Sequence, residues 1–242
     1  MTNRIADISP RQAARVAGFL YLTIIIAGIF AEFFVRQSLI APGDATATAT
    51  NIMASEGLFR IGIAGDLIMI ISDVALALVF YVLLKPVSNS LALLAAFFRL
   101  AQAAILGINL LNLFFVLQLL SGADYLTVFG ADQLDALVLF FLNGHSIGYA
   151  IGLVLFGISL FILGYLVLKS GYFPRILGAL LIVASLGYLI DSFASFLLPT
   201  YEAIFALVVF LPAFIGELSM CLWLLLKGVN IQQTQLRPSH AS

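Results

Sequence analysis

Long apolar stretches recur along this chain, and they constrain its fold more than any other feature. We count six stretches of about 20 residues or more, the length that an α-helix needs to cross roughly 30 Å of hydrocarbon. With 63% hydrophobic and 10% charged residues, the chain has too much apolar surface for a water-soluble domain. The stretches are also far longer than the ~10-residue strands of a membrane barrel, and they do not alternate polar and apolar residues. We therefore predict an all-α integral membrane bundle of six transmembrane helices.

The predicted spans divide the 242-residue chain into three parts. A polar segment at residues 1–12 precedes a membrane domain at 13–226, and a polar tail follows at 227–242. Residues 36–57 are predicted to be a loop, because the stretch at 44–50 is too small and polar to lie in lipid. The first apolar stretch is too long for the core of a signal peptide, so we expect it to remain as a span. The six spans lie at about 13–35, 58–84, 90–120, 134–168, 174–198 and 203–226.

The basic residues predict which way the bundle faces, because Lys and Arg accumulate in cytoplasmic loops. If the N-terminus is inside, only Arg36 and Arg60 fall on the outer side, and Arg99 lies within the membrane. This bias predicts a multi-pass protein of a bacterial inner (cytoplasmic) membrane with both termini in the cytoplasm. The remaining basic residues then lie on the cytoplasmic side: Arg4, Arg11, Arg15, Lys85, Lys169, Arg175, Lys227 and Arg237.

Charged and polar side chains inside the spans are the candidate functional residues. An Asp or Arg at the centre of a span costs about 2.5–3.5 kcal/mol to insert, so these side chains should face the bundle interior and find partners or water. The topology places Glu32, Asp66, His145 and Asp191 in the outer half of the membrane, and we predict a polar cavity there that opens outward. The full candidate set is Glu32, Asp66, Asp73, Arg99, Gln102, Asn109, Asn112, His145, Tyr149, Tyr188, Asp191 and Glu217.

The buried charges also have a purely structural interpretation. Arg99 can neutralise Asp73 or Glu217 as a buried ion pair, which is a common arrangement for charges in a membrane. Asp191 can be a hydrogen-bond partner of Tyr188, which lies three residues before it on the same helix. Both interpretations stay open beside a functional one.

Small and amide side chains predict close packing between two of the spans. Gly144, Gly148 and Gly152 are spaced by four on the fourth span, which favours close approach of a neighbouring helix. Asn109 and Asn112 on the third span are typical of hydrogen bonds between membrane helices. A contact with a ligand is the alternative for both asparagines.

Most catalytic and cofactor motifs are missing from the sequence. It has no G-x-S-x-G elbow, no P-loop and no H-E-x-x-H pattern, and Cys221 is its one cysteine. A catalytic zinc commonly has three protein ligands. His145 is the one histidine within the spans, so a mixed site of His145, Asp66 and Asp191 is a weak alternative. We expect no cofactor, no metal and no nucleic-acid partner.

The segment Ser170–Asp191, SGYFPRILGALLIVASLGYLID, resembles the hallmark of a large bacterial family of membrane proteins, the DUF4386 group. The six spans, the sequence FFR at Phe97–Arg99 and a histidine in the fourth span fit this resemblance, which covers about residues 10–228. It implies a multi-pass inner-membrane protein without an established substrate, and it supplies no catalytic residues. The positions that carry it most specifically are Pro174, Arg175, Gly178, Gly187, Tyr188 and Asp191.

Three functional hypotheses follow from these residues. In the leading one, a non-enzymatic membrane protein binds or transports a small molecule or ion in the outer cavity. Glu32, Asp66 and Asp191 would line that cavity, with His145 as a proton-sensitive partner and Arg99 as an inner counter-ion. The second is an intramembrane enzyme, similar to a lipid hydrolase, that uses His145 with carboxylates. The third is a structural or sensory protein whose buried charges only specify packing. The expected partners are the lipid bilayer and an unknown small molecule or ion.

Overall fold

The computed structural model describes residues 9–198 and 202–229, with the side chains of 202–210 left aside. All regular structure in these ranges is helical, which confirms the predicted all-α class. The predicted terminal segments fall mostly outside the described residues, and so do Arg4 and Arg237. The helices are α1 (Pro10–Leu39), α2 (Ala45–Ala54), α3 (Glu56–Leu84), α4 (Asn89–Leu119), α5 (Ala131–Ser170), α6 (Arg175–Leu197) and α7 (Glu202–Leu226).

Five helices within the described ranges are long and apolar enough to cross a membrane, namely α1, α3, α4, α5 and α6. The predicted sixth span falls on α7, whose described side chains form the apolar stretch Leu211–Leu226. Large apolar side chains are exposed on the long helices, among them Phe19, Ile71, Ile108 and Phe140. Exposed apolar surface of this extent is unfavourable in water and indicates a lipid bilayer environment.

A π-helical segment, Phe30–Arg36, interrupts α1 near its end. The backbone N–H of Gln37 bonds to the carbonyl of Glu32, five residues earlier, as in a π-turn. The prediction that a loop begins at Arg36 is wrong, because α1 continues past it and only 6% of Arg36 is exposed. The wider turn changes the direction in which the following side chains leave the helix. Such single-turn irregularities occur frequently at functional sites.

The predicted loop at 36–57 is also wrong in its central part, which forms α2. The side chain of Asp44 caps this helix by accepting a hydrogen bond of 2.9 Å from the N–H of Ala47. The small residues of α2 are unsuited to lipid, but Ala is the strongest helix former and supports a short helix outside it. The polarity of the segment disfavours its insertion into lipid but is compatible with a helix.

Hydrogen bonds join α2 to the end of α1. The Thr48 hydroxyl accepts a bond of 3.0 Å from the N–H of Ala41 and donates one of 3.1 Å to the carbonyl of the same residue. The amide of Asn51 donates to the carbonyl of Leu39 at 3.2 Å. Ile52 is fully buried in the apolar core beside them. The short helix α2 is therefore a fixed part of the fold.

The described chain divides into two compact units. The first unit contains residues 9–22, 73–101, 153–198 and 202–229, and the second unit contains 23–72 and 102–152. Helices α1, α3, α4 and α5 contribute residues to both units, whereas α2 belongs to the second unit, and α6 and α7 to the first.

Glycines allow the helices of each unit to pack closely. In the first unit, a Cβ atom at Gly178 on α6 would lie 2.7 Å from the carbonyl oxygen of Gly164 on α5. In the second unit, a Cβ at Gly152 on α5 would lie 2.8 Å from Leu106 Cδ2, and one at Gly144 would lie 3.3 Å from Asn112 Oδ1. These distances confirm the close packing predicted from the glycine spacing on α5.

Candidate functional site

An arginine and two carboxylates form an ion group in the second unit. Arg36 Nη1 and Nη2 lie 2.6 Å and 3.3 Å from Asp66 Oδ2 and Oδ1, so the contact is bidentate. Arg36 Nε donates to Glu32 Oε2 at 2.7 Å. The Arg36 and Asp66 side chains are 7% and 2% exposed, whereas that of Glu32 is 45% exposed. The group therefore combines a buried pair with a carboxylate that remains accessible.

The approach of α3 to α1 brings these three side chains together. A Cβ atom at Gly62 would lie 2.8 Å from Val35 Cγ1, and one at Gly65 would lie 3.6 Å from the carbonyl oxygen of Ala27. Because Gly62 has no side chain, α3 lies close enough to α1 for Asp66 to meet the guanidinium. Arg36 is the member of this group that was not predicted, although its spacing of four from Glu32 is that of a helical ion pair.

A hydrogen-bond network around His145 lies in the same unit. The Asn109 amide donates to the His145 carbonyl at 2.8 Å and lies 3.1 Å from Nδ1 of the ring. Asn112 donates to Asn109 Oδ1 at 3.0 Å. The Tyr149 ring centroid is 6.1 Å from that of His145. The asparagines thus hydrogen-bond to each other and to α5, as expected of residues that join helices.

Nε2 of the His145 ring has no hydrogen-bond partner among the described residues, although the side chain is buried. If the Asn109 amide donates to Nδ1, the neutral ring carries its proton on Nε2. Arg36 and Glu32 both act electrostatically on this ring. Gln102, also buried in the second unit, has an unpartnered Oε1 within the described ranges. Unpartnered buried polar atoms are costly, so each is a candidate contact for a ligand or water.

The first unit contains a second ion pair, between Arg99 and Asp73. Arg99 Nε donates to Asp73 Oδ1 at 2.8 Å, which is one of the two structural pairings predicted for this arginine. The guanidinium carbon also lies 5.1 Å from the centroid of the Phe156 ring and 5.8 Å from that of Tyr21. Arg99 is 2% exposed, and aromatic rings compensate part of its lost hydration.

Glu217 accepts hydrogen bonds from two tyrosines in the first unit. The Tyr21 hydroxyl donates to Oε2 at 3.0 Å and the Tyr188 hydroxyl donates to Oε1 at 2.5 Å. The Tyr188 hydroxyl thus bonds to a carboxyl on α7, and its hydrogen bond with Asp191 stays a prediction. Asp191 is partly buried on α6.

The residues predicted to line one outer cavity are distributed over the two units. Glu32, Asp66 and His145 belong to the second unit, and Asp191 belongs to the first. A small cavity in the first unit is bordered by apolar side chains together with Tyr81, Arg99 and Ser159, with room for about one water molecule at 10 Å³.

The metal version of the enzyme hypothesis lacks a suitable ligand set in the described part of the chain. No group of three or more His, Cys, Asp or Glu side chains converges there in a way that could hold a metal ion. Structural and catalytic zinc sites both require at least three converging protein ligands.

Comparison with known proteins gives the family. Residues 16–228 match the family described as Domain of unknown function (DUF4386). The chain belongs to this DUF4386 family. A relative described as an uncharacterized protein of Archaeoglobus fulgidus (strain ATCC 49558 / DSM 4304 / JCM 9628 / NBRC 100126 / VC-16) is 32% identical over 176 residues, which are 73% of this chain and 89% of the relative. No solved structure matches the chain.

Several positions that carried the resemblance to the DUF4386 family have identifiable places in the fold. Pro174 precedes the first residue of α6, where its fixed φ suits a helix start. Gly178 allows the close approach of α5, and Tyr188 binds Glu217. Arg99, at the end of the FFR sequence, forms the ion pair with Asp73. In this DUF4386 protein these positions thus fix helix packing and buried polar contacts.

Proposed function

We propose that this protein binds or transports a small cation, or a small molecule with a protonated amine, at the ion group of the second unit. The proposal places it in the inner (cytoplasmic) membrane as a multi-pass, non-enzymatic protein with both termini in the cytoplasm. The group comprises Glu32, Arg36 and Asp66, with His145 as the neighbouring polar residue. The observation that carries the proposal is a buried guanidinium flanked by two carboxylates, one of them half exposed.

The charge of this group favours a cationic ligand. Two carboxylates and one guanidinium give a formal charge of −1 when all are ionised. The bidentate contact commits Arg36 mainly to Asp66, and its remaining Nε holds one oxygen of Glu32. The second Glu32 oxygen has a long 3.4 Å contact with the amide of Gln37. A cation at this oxygen would neutralise the group, and the exposed side of Glu32 leaves room for it.

The neighbouring His145 supports a ligand with a polar part. Its Nε2 is buried and has no partner among the described residues, so a ligand oxygen or a water could accept from it. Electrostatic interaction of the ring with Arg36 and Glu32 means that the two groups respond to one another's charge. Binding of a cation beside Glu32 would therefore also change the environment of the histidine.

Cation binding can be tested on purified protein in lipid vesicles. The probes are Na⁺, K⁺ and methylammonium, each added as the chloride at constant ionic strength. We expect one of them to raise the unfolding temperature or to enter the vesicles, and Glu32→Gln to abolish that effect. Glu32 is suited to this test because its half-exposed side chain can be neutralised without leaving Arg36 unpaired.

A matched control is available on α3. Glu56 and Arg60 form an exposed i, i+4 pair with a 2.6 Å contact, the same chemistry as Glu32 and Arg36. Glu56→Gln should leave the cation effect unchanged. An equal effect in both variants, or the absence of any response to all three probes, would show that the ion group is not a cation site.

The second candidate is a structural or sensory role. It is favoured by the buried ion pairs that Arg36 and Arg99 form. In that case the charges specify packing, and apolar residues of similar volume should replace a pair without loss of function. The test is the double variant Arg99→Met with Asp73→Leu. Full cation response with normal expression would assign this pair to packing, whereas loss of the response in a folded double variant would assign it to function.

A further inference from the structure

The carboxyl group of Glu217 has an unusual environment in the first unit. The side chain is only 8% exposed, and each carboxyl oxygen accepts a hydrogen bond from a tyrosine on a different helix. Tyr21 approaches from α1 and Tyr188 from α6, and α7 carries the glutamate itself. The group is therefore enclosed by three helices and has specific polar contacts on both sides.

The charges around Glu217 do not balance when every carboxyl is ionised. The charged groups that act on it are Arg99 from α4 and Asp73 from α3. On its own helix, the thiol of Cys221 one turn away donates to the carbonyl of Gly18. One guanidinium faces two carboxylates, and that guanidinium bonds directly to Asp73. An ionised Glu217 would thus leave a formal charge of −1 in a buried environment, which is unfavourable.

We propose that Glu217 is a proton-binding site within the membrane domain. Its carboxylate takes up one proton from water to form the neutral carboxylic acid, and it returns the same proton to water when it ionises. Arg99 and Asp73 keep their charges, so the formal charge of the group changes between −1 and zero. This site is separate from the ion group of the second unit and stands whether or not that group binds a cation.

The two tyrosines suit a carboxyl that changes its protonation state. A tyrosine hydroxyl can donate or accept a hydrogen bond, depending on the rotation of its O–H bond. Both hydroxyls can donate to the ionised form. When one oxygen of Glu217 carries the proton, the tyrosine at that oxygen can rotate and accept it. Both states of the carboxyl can therefore be fully hydrogen-bonded without movement of the helices.

Infrared difference spectroscopy of the full chain in lipid vesicles tests the proposal. Spectra recorded at acidic and alkaline pH should differ by the C=O stretching band of a protonated, buried carboxylic acid. We expect Glu217→Gln to remove this band and Glu56→Gln, at an exposed carboxyl, to retain it. Tyr188→Phe keeps the carboxyl but removes one hydrogen bond, so the band should remain and move to higher frequency.

Each result bears directly on Glu217. A band that persists in Glu217→Gln, or a spectrum without a pH-dependent carboxylic acid band, overturns the proposal. If Glu217→Gln fails to fold, Tyr188→Phe and Tyr21→Phe decide, because both retain the carboxyl and most of the packing. If the carboxylic acid band has the same frequency in both tyrosine variants as in the unaltered protein, the band belongs to another residue and the proposal is overturned.

Discussion

The side-chain oxygen of Asn109 on α4 occupies the space where residue 148 on α5 would carry a Cβ atom. A Cβ built at Gly148 would lie 2.1 Å from Asn109 Oδ1, far inside van der Waals contact. The nitrogen of the same amide donates to the carbonyl of His145, three residues earlier on α5. Helix packing and the polar network of the second unit therefore depend on the same glycine.

This relationship predicts a large effect for Gly148→Ala. The new methyl group must displace Asn109, which adds overpacking of about 1–3 kcal/mol and breaks the contacts with His145. The measurement is thermal unfolding of the purified protein in detergent micelles. Gly107→Ala is the control, since nothing lies within 4 Å of a Cβ there and Ala is the better helix former. Similar unfolding temperatures for the two variants would contradict the close contact.

The buried pair of Arg36 and Asp66 predicts strong coupling between the two residues. Arg36→Met leaves Asp66 buried without its counter-ion and should cost about 3–5 kcal/mol of unfolding free energy. Asp66→Leu should cost less, because Arg36 keeps its contact with Glu32. The double variant should recover at least half of that loss. A double-mutant cycle measured by denaturant unfolding in mixed micelles gives the coupling energy. Additive single effects would show that the pair does not form.

The exposed pair of Glu56 and Arg60 serves as the reference for that cycle. Its side chains are 53% and 57% exposed, so its coupling energy should be about 1 kcal/mol or less. High salt should reduce the coupling of the exposed pair more than that of the buried pair, because solvent ions screen exposed charges.

The cap of α2 predicts a local effect for Asp44→Ala. Loss of the side-chain acceptor should cost about 1 kcal/mol and loosen the first turn of the helix. Hydrogen exchange of the amides at 45–54 should accelerate, while the long helices keep their protection. Thr50→Ala is the control, because Thr50 is exposed on the same helix and Ala has the higher helix propensity. Unchanged exchange in Asp44→Ala would mean that the contacts of Thr48 and Asn51 hold the helix alone.

The distribution of basic residues predicts the orientation, which labelling can determine. The native Cys221 is buried, so single cysteines introduced elsewhere can be labelled selectively. Ser121→Cys, after α4, should react with a membrane-impermeant thiol reagent on intact cells. Ser88→Cys, between α3 and α4, should react only after the membrane is opened. The reverse pattern would place the termini on the outer side.

The fold class could be predicted from the sequence because it depends on summed properties of long stretches. An apolar run of sufficient length predicts a membrane helix whatever its neighbours are. The end of an apolar run predicts the end of its helix less well. The first run ends at Val35, whereas α1 continues to Leu39. Local hydropathy predicts a loop at Arg36, because it detects neither the π-turn nor the ion pair with Asp66, 30 residues away.

The buried charges and the pair of Arg99 with Asp73 could be predicted from the sequence, but Arg36 and its contacts could not. Insertion cost correctly indicated that Asp66, Asp73 and Arg99 are buried, because that argument needs only the residue and its position in a span. Which carboxyl meets which cation depends on helix rotation and on close approach at glycines. The same limit applies to Tyr188 on α6, because the spacing of residues along one helix does not predict its hydrogen bond to Glu217 on α7.

The two aspartates of α3 meet their partners at different times during translation. Arg36 precedes Asp66 by 30 residues, so this aspartate leaves the ribosome with its counter-ion already made. Arg99 follows Asp73 by 26 residues, and Glu217 follows Tyr21 by 196 residues. Chains are made from the N-terminus, and early segments can fold first. When α3 has been synthesised, the counter-ion of Asp66 is therefore already present, whereas that of Asp73 is not. The contact between Tyr21 and Glu217 then completes the first unit only when the final helix has been synthesised.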